Sequence, residues 1–269
     1  MIKYPRTQHI EGSRLQNGDH DLTQVKIQDL EGHHLVVEEK VDGANAGISF
    51  SKEGDLLLQS RGHFLRGGPR EKQWDLFKQW SSHFETELFD ILEDRYIMYG
   101  EWLYAKHTVW YNTLPHYFLE FDIYDKDKGI FLSTKRRNEV LKDSPVHSVP
   151  VLYEGEIKST EQLKGLIAPS LYKSRDWLGE LRKYASQQGH DTQRIEKETY
   201  ISDYAEGIYI KDEVGDETIG RFKYVRHDFL SAILNSEGHW HDRPIVPNQL
   251  APSASIYDRR DHGKTIDPT

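Results

Sequence analysis

Lys40 stands two residues before an Asp-Gly pair, in Glu38-Glu39-Lys40-Val41-Asp42-Gly43-Ala44-Asn45, directly after the apolar run Leu35-Val36-Val37. A solvated lysine is almost fully protonated at neutral pH and attacks phosphorus only as the free amine. Desolvation or neighbouring cations lower its pKa and make it a nucleophile. Gly43 allows the backbone to approach a ligand closely. The same four residues equally suit a surface lysine beside an ordinary turn.

Five further segments carry groups of the right type. Arg61, in Ser60-Arg61-Gly62 at the end of Asp55-Leu56-Leu57-Leu58-Gln59, can offer a planar fork to a phosphate. Glu101, in Tyr99-Gly100-Glu101-Trp102, can accept hydrogen bonds from two vicinal hydroxyls. Phe121, in Phe118-Leu119-Glu120-Phe121-Asp122-Ile123, can stack on a base or simply fill a core. Glu206 opens Glu206-Gly207-Ile208-Tyr209-Ile210-Lys211 and can hold Mg2+ beside phosphates. Arg221 and Lys223, in Arg221-Phe222-Lys223-Tyr224-Val225-Arg226, share one face of a strand. They are expected to meet one phosphate and to depress the pKa of Lys40. Each segment alone also fits a solvated or packed residue.

The elements that must position these groups read as strands over 34–39, 46–51, 55–60, 96–103, 117–124 and 206–211. Helix is expected over 70–93, from about 133 to 142, and through most of 160–198. Residues 1–33 are polar, with turn signals at Gly12-Ser13 and Asn17-Gly18-Asp19. Strands before, between and after helical blocks predict an α+β fold with antiparallel sheets. Residues 1–235 are expected to form one domain and 236–269, with four prolines, a polar extended or wrapping tail.

Composition narrows the classes. The 269 residues carry a net charge of −9, which argues against general coating of nucleic acid or membrane but leaves room for a local basic cleft. There is no cysteine, so disulfides, thiolate metal sites and cysteine nucleophiles are excluded. A reducing, cytoplasmic setting is expected. Gly215–Phe222 has P-loop glycine spacing but lacks the following Lys and Ser/Thr. His239-Trp240-His241-Asp242 is a weak metal candidate, and His107, Trp110 and His116 either line a cleft or pack.

Taken in order, Lys-x-Asp-Gly, Ser-Arg-Gly, Gly-Glu, Phe-Asp-Ile, Glu-Gly-Ile-Tyr-Ile-Lys and Arg-x-Lys resemble the covalent nucleotidyltransferase superfamily. That group holds ATP-dependent DNA ligases, RNA ligases and mRNA capping guanylyltransferases. From about Tyr4 to Leu230 the chain is most similar to RNA ligases of the type of the second phage T4 enzyme. The resemblance implies an ATP-grasp-like nucleotidyltransferase domain of two antiparallel sheets flanked by helices, with ATP in the cleft. It implies an ATP-dependent RNA ligase that uses Mg2+ and acts on nucleic acid ends, RNA or DNA. Lys40 would take AMP. Glu39 and Val41 would flank it at the adenine edge, with Asn45 close to the nucleotide. Arg61 would contact phosphate or ribose, and Glu101 the ribose hydroxyls. Phe121 would stack on adenine, Glu206 would position the metal, and Arg221 and Lys223 would hold the α-phosphate and orient pyrophosphate. The last motif usually reads Lys-x-Lys, and here its first position is Arg221. The stretch after Arg226 is short for a second domain, which leaves open a subunit that passes AMP on with the help of a partner. A capping enzyme fits less well for the same reason.

Overall fold

The structure, a computed structural model, describes residues 1–15, 19, 22–229 and 245–258. Its strands are β1 (Gln8–Ile10), β2 (Gln24–Val25), β3 (Leu35–Lys40), β4 (Ala44–Phe50), β5 (Leu56–Ser60), β6 (Tyr96–Trp102), β7 (Phe118–Asp125), β8 (Ile130–Leu132), β9 (His147–Ser148), β10 (Val151–Gly155), β11 (Gly207–Val214) and β12 (Glu217–Val225). Its helices are α1 (Asp75–His83), α2 (Glu85–Leu92), α3 (Thr134–Val140), α4 (Thr160–Gly165), α5 (Trp177–Gln187) and α6 (Thr192–Lys197). The α+β reading holds.

The main ladder runs β10-β3-β11-β12-β8-β7-β6-β4-β5 and is antiparallel throughout. Two expected sheets are thus two halves of one, joined by short β8, which pairs with both β12 and β7. Helices α1 and α2 cover one half. Phe77, Trp80, Phe84, Leu88 and Leu92 pack there on Ala46, Ile48, Met98 and Trp102. The outer face of the other half buries Leu35, Val37, Ile208, Ile210, Phe222 and Tyr224 with Ile157 and Leu163.

Between the inner faces lies a buried ionic cluster. Lys211 Nζ is 2.9 Å from Glu38 Oε2 and 3.3 Å from Asp122 Oδ1. Arg137 of α3 is 2.9 Å from Glu38 and 3.4 Å from Glu120. Tyr4 donates to Asp122 at 2.5 Å. Glu38, Glu120, Asp122, Arg137 and Lys211 all sit at 1% exposure or less, so each charge depends on the others for compensation. Strands β3, β7 and β11 are thereby fixed relative to one another.

Three expectations differ. The helix over 70–93 is a 3-10 turn followed by α1 and α2, parted at Phe84, whose φ of −104° and ψ of 23° leave the helical region. The helical block over 160–198 is interrupted between α4 and α5, because Ser170 and Leu171 turn in to bond the buried carboxylate of Glu39. The N-terminal 33 residues contain β1 and β2, since β1 adds in parallel to β12.

Candidate functional site

Strand register places most of the singled-out residues at one end of the sheet. Lys40 closes β3 opposite Gly207, the first residue of β11, and Gly207 faces Val225 near the end of β12. A Cβ on Gly207 would lie 2.0 Å from the Tyr224 carbonyl oxygen, so only glycine permits this close pairing. The turn 41–43 returns the chain directly into β4, where Asn45 pairs with Glu101 and Ala46 with Ser60, next to Arg61. Tight turns between antiparallel strands therefore gather Lys40, Asn45, Arg61, Glu101, Glu206 and Lys223 at a common mouth.

Lys40 Nζ lies 2.6 Å from Glu206 Oε2, with the lysine side chain 22% exposed and the glutamate 1%. Glu101 and Asp42 add negative charge nearby. Burial alone would lower the Lys40 pKa, but these carboxylates, Glu206 above all, raise it above the ordinary lysine value. This corrects the expectation that surrounding cations depress it. The site's acids outweigh Lys223, and Arg221 lies farther in. Burial lifts the Glu206 carboxyl to about 6, opposed by Lys40. Burial likewise lifts Glu101 to about 8, against Lys40 and with the charges of Asp42 and Glu206 adding.

The turn itself is clamped. Asp42 Oδ2 accepts from the backbone N–H of Thr108 (2.7 Å) and Val109 (2.8 Å), and Asp42 N–H donates to Tyr111 Oη (2.9 Å). Gly43 N–H donates to Glu101 Oε1 at 3.1 Å. A Cβ at Gly43 would fall 2.6 Å from the Trp102 carbonyl oxygen, so this glycine admits the end of β6 rather than a ligand.

The remaining residues divide. Glu39 points to the opposite face, where Ser170 Oγ (2.6 Å) and Leu171 N–H (3.2 Å) donate to it, and burial raises its pKa. Val41 is core, packed among Leu103, Tyr111 and Val225. Arg61 is exposed in the turn after β5. Phe121 sits at a β-bulge, since Tyr99 pairs with Asp122 and Gly100 with Glu120. The bulge turns Phe121 toward Tyr4 and Tyr209, at ring distances of 5.1 and 6.1 Å. Lys223 and Arg221 share the face of Lys40, but their partners differ. Lys223 Nζ meets Asp19 Oδ2 at 2.5 Å, while the Arg221 guanidinium lies 3.6 Å from the Phe131 ring centre.

Two buried polar atoms of this set, Asn45 Oδ1 and Arg221 Nη1, lack a hydrogen-bond partner. Buried polar atoms are almost always paired, so these two fit contact with a ligand. Among the described residues no group of three or more His, Asp or Glu side chains could cage a metal ion. One carboxylate, Glu206, matches the pattern of Mg2+, which takes few protein ligands and completes its shell with phosphates and water.

Sequence reasoning missed Asp42 as a clamp, and Asp19 and His9 as partners of Lys223. Only the fold brings Thr108 and Val109 to Asp42, and Asp19 and His9 to Lys223. His107 is half-buried near Asp42. Trp110 and His116 pack: Trp110 Nε1 donates to the Pro247 carbonyl (3.0 Å) and His116 Nε2 to that of Ile256 (3.1 Å), holding 245–258 against the body. Gly215 lies in the β11–β12 hairpin turn, not a phosphate loop. The segment His239-Trp240-His241-Asp242 lies outside the described residues.

The RNA ligase family model matches residues 33–225, which begins just before β3 and ends at the last residue of β12. The chain belongs to the RNA ligase family. A search of curated protein sequences finds no match. Among solved structures, this member is similar to variants of Naegleria gruberi RNA ligase. One without ligand has a TM-score of 0.53 at 17% identity, covering 87% of this chain and 60% of that one. One with ATP and Mn has a TM-score of 0.52 at 17% identity, covering 88% and 63%. A third, also with ATP and Mn, has a TM-score of 0.50 at 19% identity, covering 76% and 53%. The chain thus spans 53–63% of the length of these structures.

Proposed function

We propose that this RNA ligase family member is an ATP-dependent RNA ligase that works through a lysyl-AMP intermediate. Lys40 attacks the α-phosphorus of ATP and expels pyrophosphate. AMP then passes to a 5′-phosphate end of nucleic acid, and a 3′-hydroxyl attacks that activated end and releases AMP. The observation that carries the reading is the placement of Lys40 against Glu206 at the sheet end, with Asn45, Glu101 and Lys223 around them.

The residues divide the work by charge and position. Lys40 must lose the proton that Glu206 stabilises. Glu206 would hold Mg2+, which when bound supplies positive charge against the triphosphate. A Glu206 turned toward a cation no longer favours the Lys40 ammonium, and burial with neighbouring Lys223 then favours the free amine. Lys223 would neutralise charge on the departing pyrophosphate, and Arg221 would reach the phosphates from deeper in the cleft. Glu101 would bind the ribose hydroxyls, Phe121 would stack on adenine with the Glu39 and Val41 backbones at its edge, and Asn45 and Arg61 would contact the nucleotide from the β4–β5 side. RNA ends would lie along a local basic surface at the same mouth, and a reducing cytoplasm suits a chain without cysteine. The domain would comprise residues 1–235, with 236–269 as an appended polar tail.

A second reading keeps the lysyl-AMP step and leaves strand joining to a partner. Incubation with ATP labelled at the α-phosphate and Mg2+, followed by denaturation, tests both. Label on the protein that vanishes in Lys40→Ala is the expected result, and sealing of a nicked duplex by the chain alone would remove the second reading. No label from ATP, in folded protein shown not to be already adenylated, would overturn the proposal.

A further inference from the structure

The N-terminal strand β1 lies parallel to β12 with His9 opposite Lys223. His9 is fully buried, and its two ring nitrogens have separate partners: Nδ1 lies 2.7 Å from Ser13 Oγ and Nε2 lies 3.0 Å from Asp19 Oδ2. Ser13 Oγ also accepts from Val225 N–H at 2.9 Å, and Lys223 Nζ donates to Asp19 Oδ2 at 2.5 Å. Burial lowers the His9 pKa and favours the neutral imidazole, and the contacts then assign its hydrogen. A carboxylate can only accept, so His9 Nε2 carries the hydrogen and Nδ1 is bare. Ser13 therefore donates to Nδ1 while accepting from the β12 backbone. The result is a chain of donors from Val225 N–H through Ser13 and His9 that converges with Lys223 on Asp19, so that it starts and ends on the same strand.

This chain has more order than a lysine needs merely to be neutralised. A lone carboxylate would balance Lys223. Here that carboxylate is itself oriented by a histidine of fixed tautomer, which is anchored on the backbone two residues from Lys223. Burial tends to raise the Asp19 carboxyl, yet hydrogen bonds from Lys223 and His9 hold it at about 2, so Asp19 stays an anion throughout the neutral range. Lys223 lies within electrostatic reach of Lys40 and Glu206. Arg6 Nη2 approaches the other Asp19 oxygen at 3.4 Å, from the solvent side.

We propose that Ser13, His9 and Asp19 form a positioning relay that holds the Lys223 ammonium toward the phosphates of the bound nucleotide, so that β1 belongs to the adenylation machinery. The inference rests on the reading of Lys223 given above. Asp19 and His9 are positioning residues and touch no substrate.

The test is the rate of label transfer from α-labelled ATP, followed before one turnover is complete, in Asp19→Asn, Lys223→Ala and the double variant. Asp19→Asn keeps the shape and removes the charge. It should slow transfer at saturating ATP about tenfold, the loss of one charge-assisted hydrogen bond, with half-saturating ATP changed less than about twofold. In the Lys223→Ala background the same substitution should slow transfer by less than about twofold more, because nothing remains to be positioned. His9→Gln, whose amide can still donate to Asp19, should stay within about threefold of the parent, whereas His9→Leu should match Asp19→Asn. A parental rate in Asp19→Asn, or the full tenfold loss repeated in the Lys223→Ala background, would overturn the relay. A parental rate in Lys223→Ala would instead overturn the reading of Lys223 on which the relay depends.

Discussion

Replacing Lys211 with Met removes one of two cations from a cluster that also holds three carboxyl groups. Lys211 is fully buried, and its Nζ contacts Glu38 at 2.9 Å, Asp122 at 3.3 Å and the Phe121 carbonyl. Met matches the length of the stem but offers no charge. Glu38, Glu120 and Asp122 would then share Arg137 alone, in a place water does not reach. Breaking a buried ion pair in this way costs about 3–5 kcal/mol, because the remaining charge loses its compensation. At about 2–4 °C per kcal/mol for a domain of this size, thermal unfolding should move down by about 6–20 °C. Circular dichroism melts of the parent and Lys211→Met at equal concentration measure the shift. Glu38→Gln added to Lys211→Met should give a double variant less unstable than the sum of the singles, since the second change removes the stranded charge. A shift worth less than about 1 kcal/mol, the value of an exposed pair, would refute the claim that this cluster locks β3 to β7 and β11.

Two other outcomes follow from the same structure. The Glu101 carboxyl titrates near 8 when folded, against an unperturbed 4.5, so the native state binds the extra proton between those values. Its contribution to stability is full below about pH 4.5 and is lost as pH rises toward 8; denaturant titrations across that window should show the decline, and Glu101→Gln should flatten it. Asn248 is buried, accepts from Tyr111 N–H at 2.9 Å and donates to the Leu103 carbonyl at 2.7 Å. Asn248→Ala would leave both backbone groups unpaired at a cost of about 2–4 kcal/mol. Because Tyr111 Oη also accepts from Asp42 N–H, label transfer should fall along with protease resistance of the 245–258 segment; loss of neither would show that this segment is a passive cover.

The sequence by itself determined the strands that carry the chemistry. Runs such as Leu35–Val37 and Tyr96–Met98 are apolar enough to be strands in any context, and the order of motifs along the chain named the candidates from Lys40 to Lys223. It also carried the α+β class, since period-two stretches separated by helical blocks leave few alternatives. What it could not carry was whatever depends on partners distant in sequence. Residues 1–33 look polar because β1 and β2 are short; β1 gains its stability from pairing with β12, more than 200 positions away, and β2 from pairing with β1. The bulge at Phe121 comes from register between β6 and β7, not from any local signal. The protonation of Lys40 is hidden from local sequence for the same reason. Its pKa is set by the distance to Glu206, which is 166 positions later in the chain and 2.6 Å away in space. Local sequence fixes which groups are present and which way alternate side chains point. Only the closed sheet decides which charges meet in a medium of low dielectric, where a few ångströms turn an attacking amine into a paired ammonium.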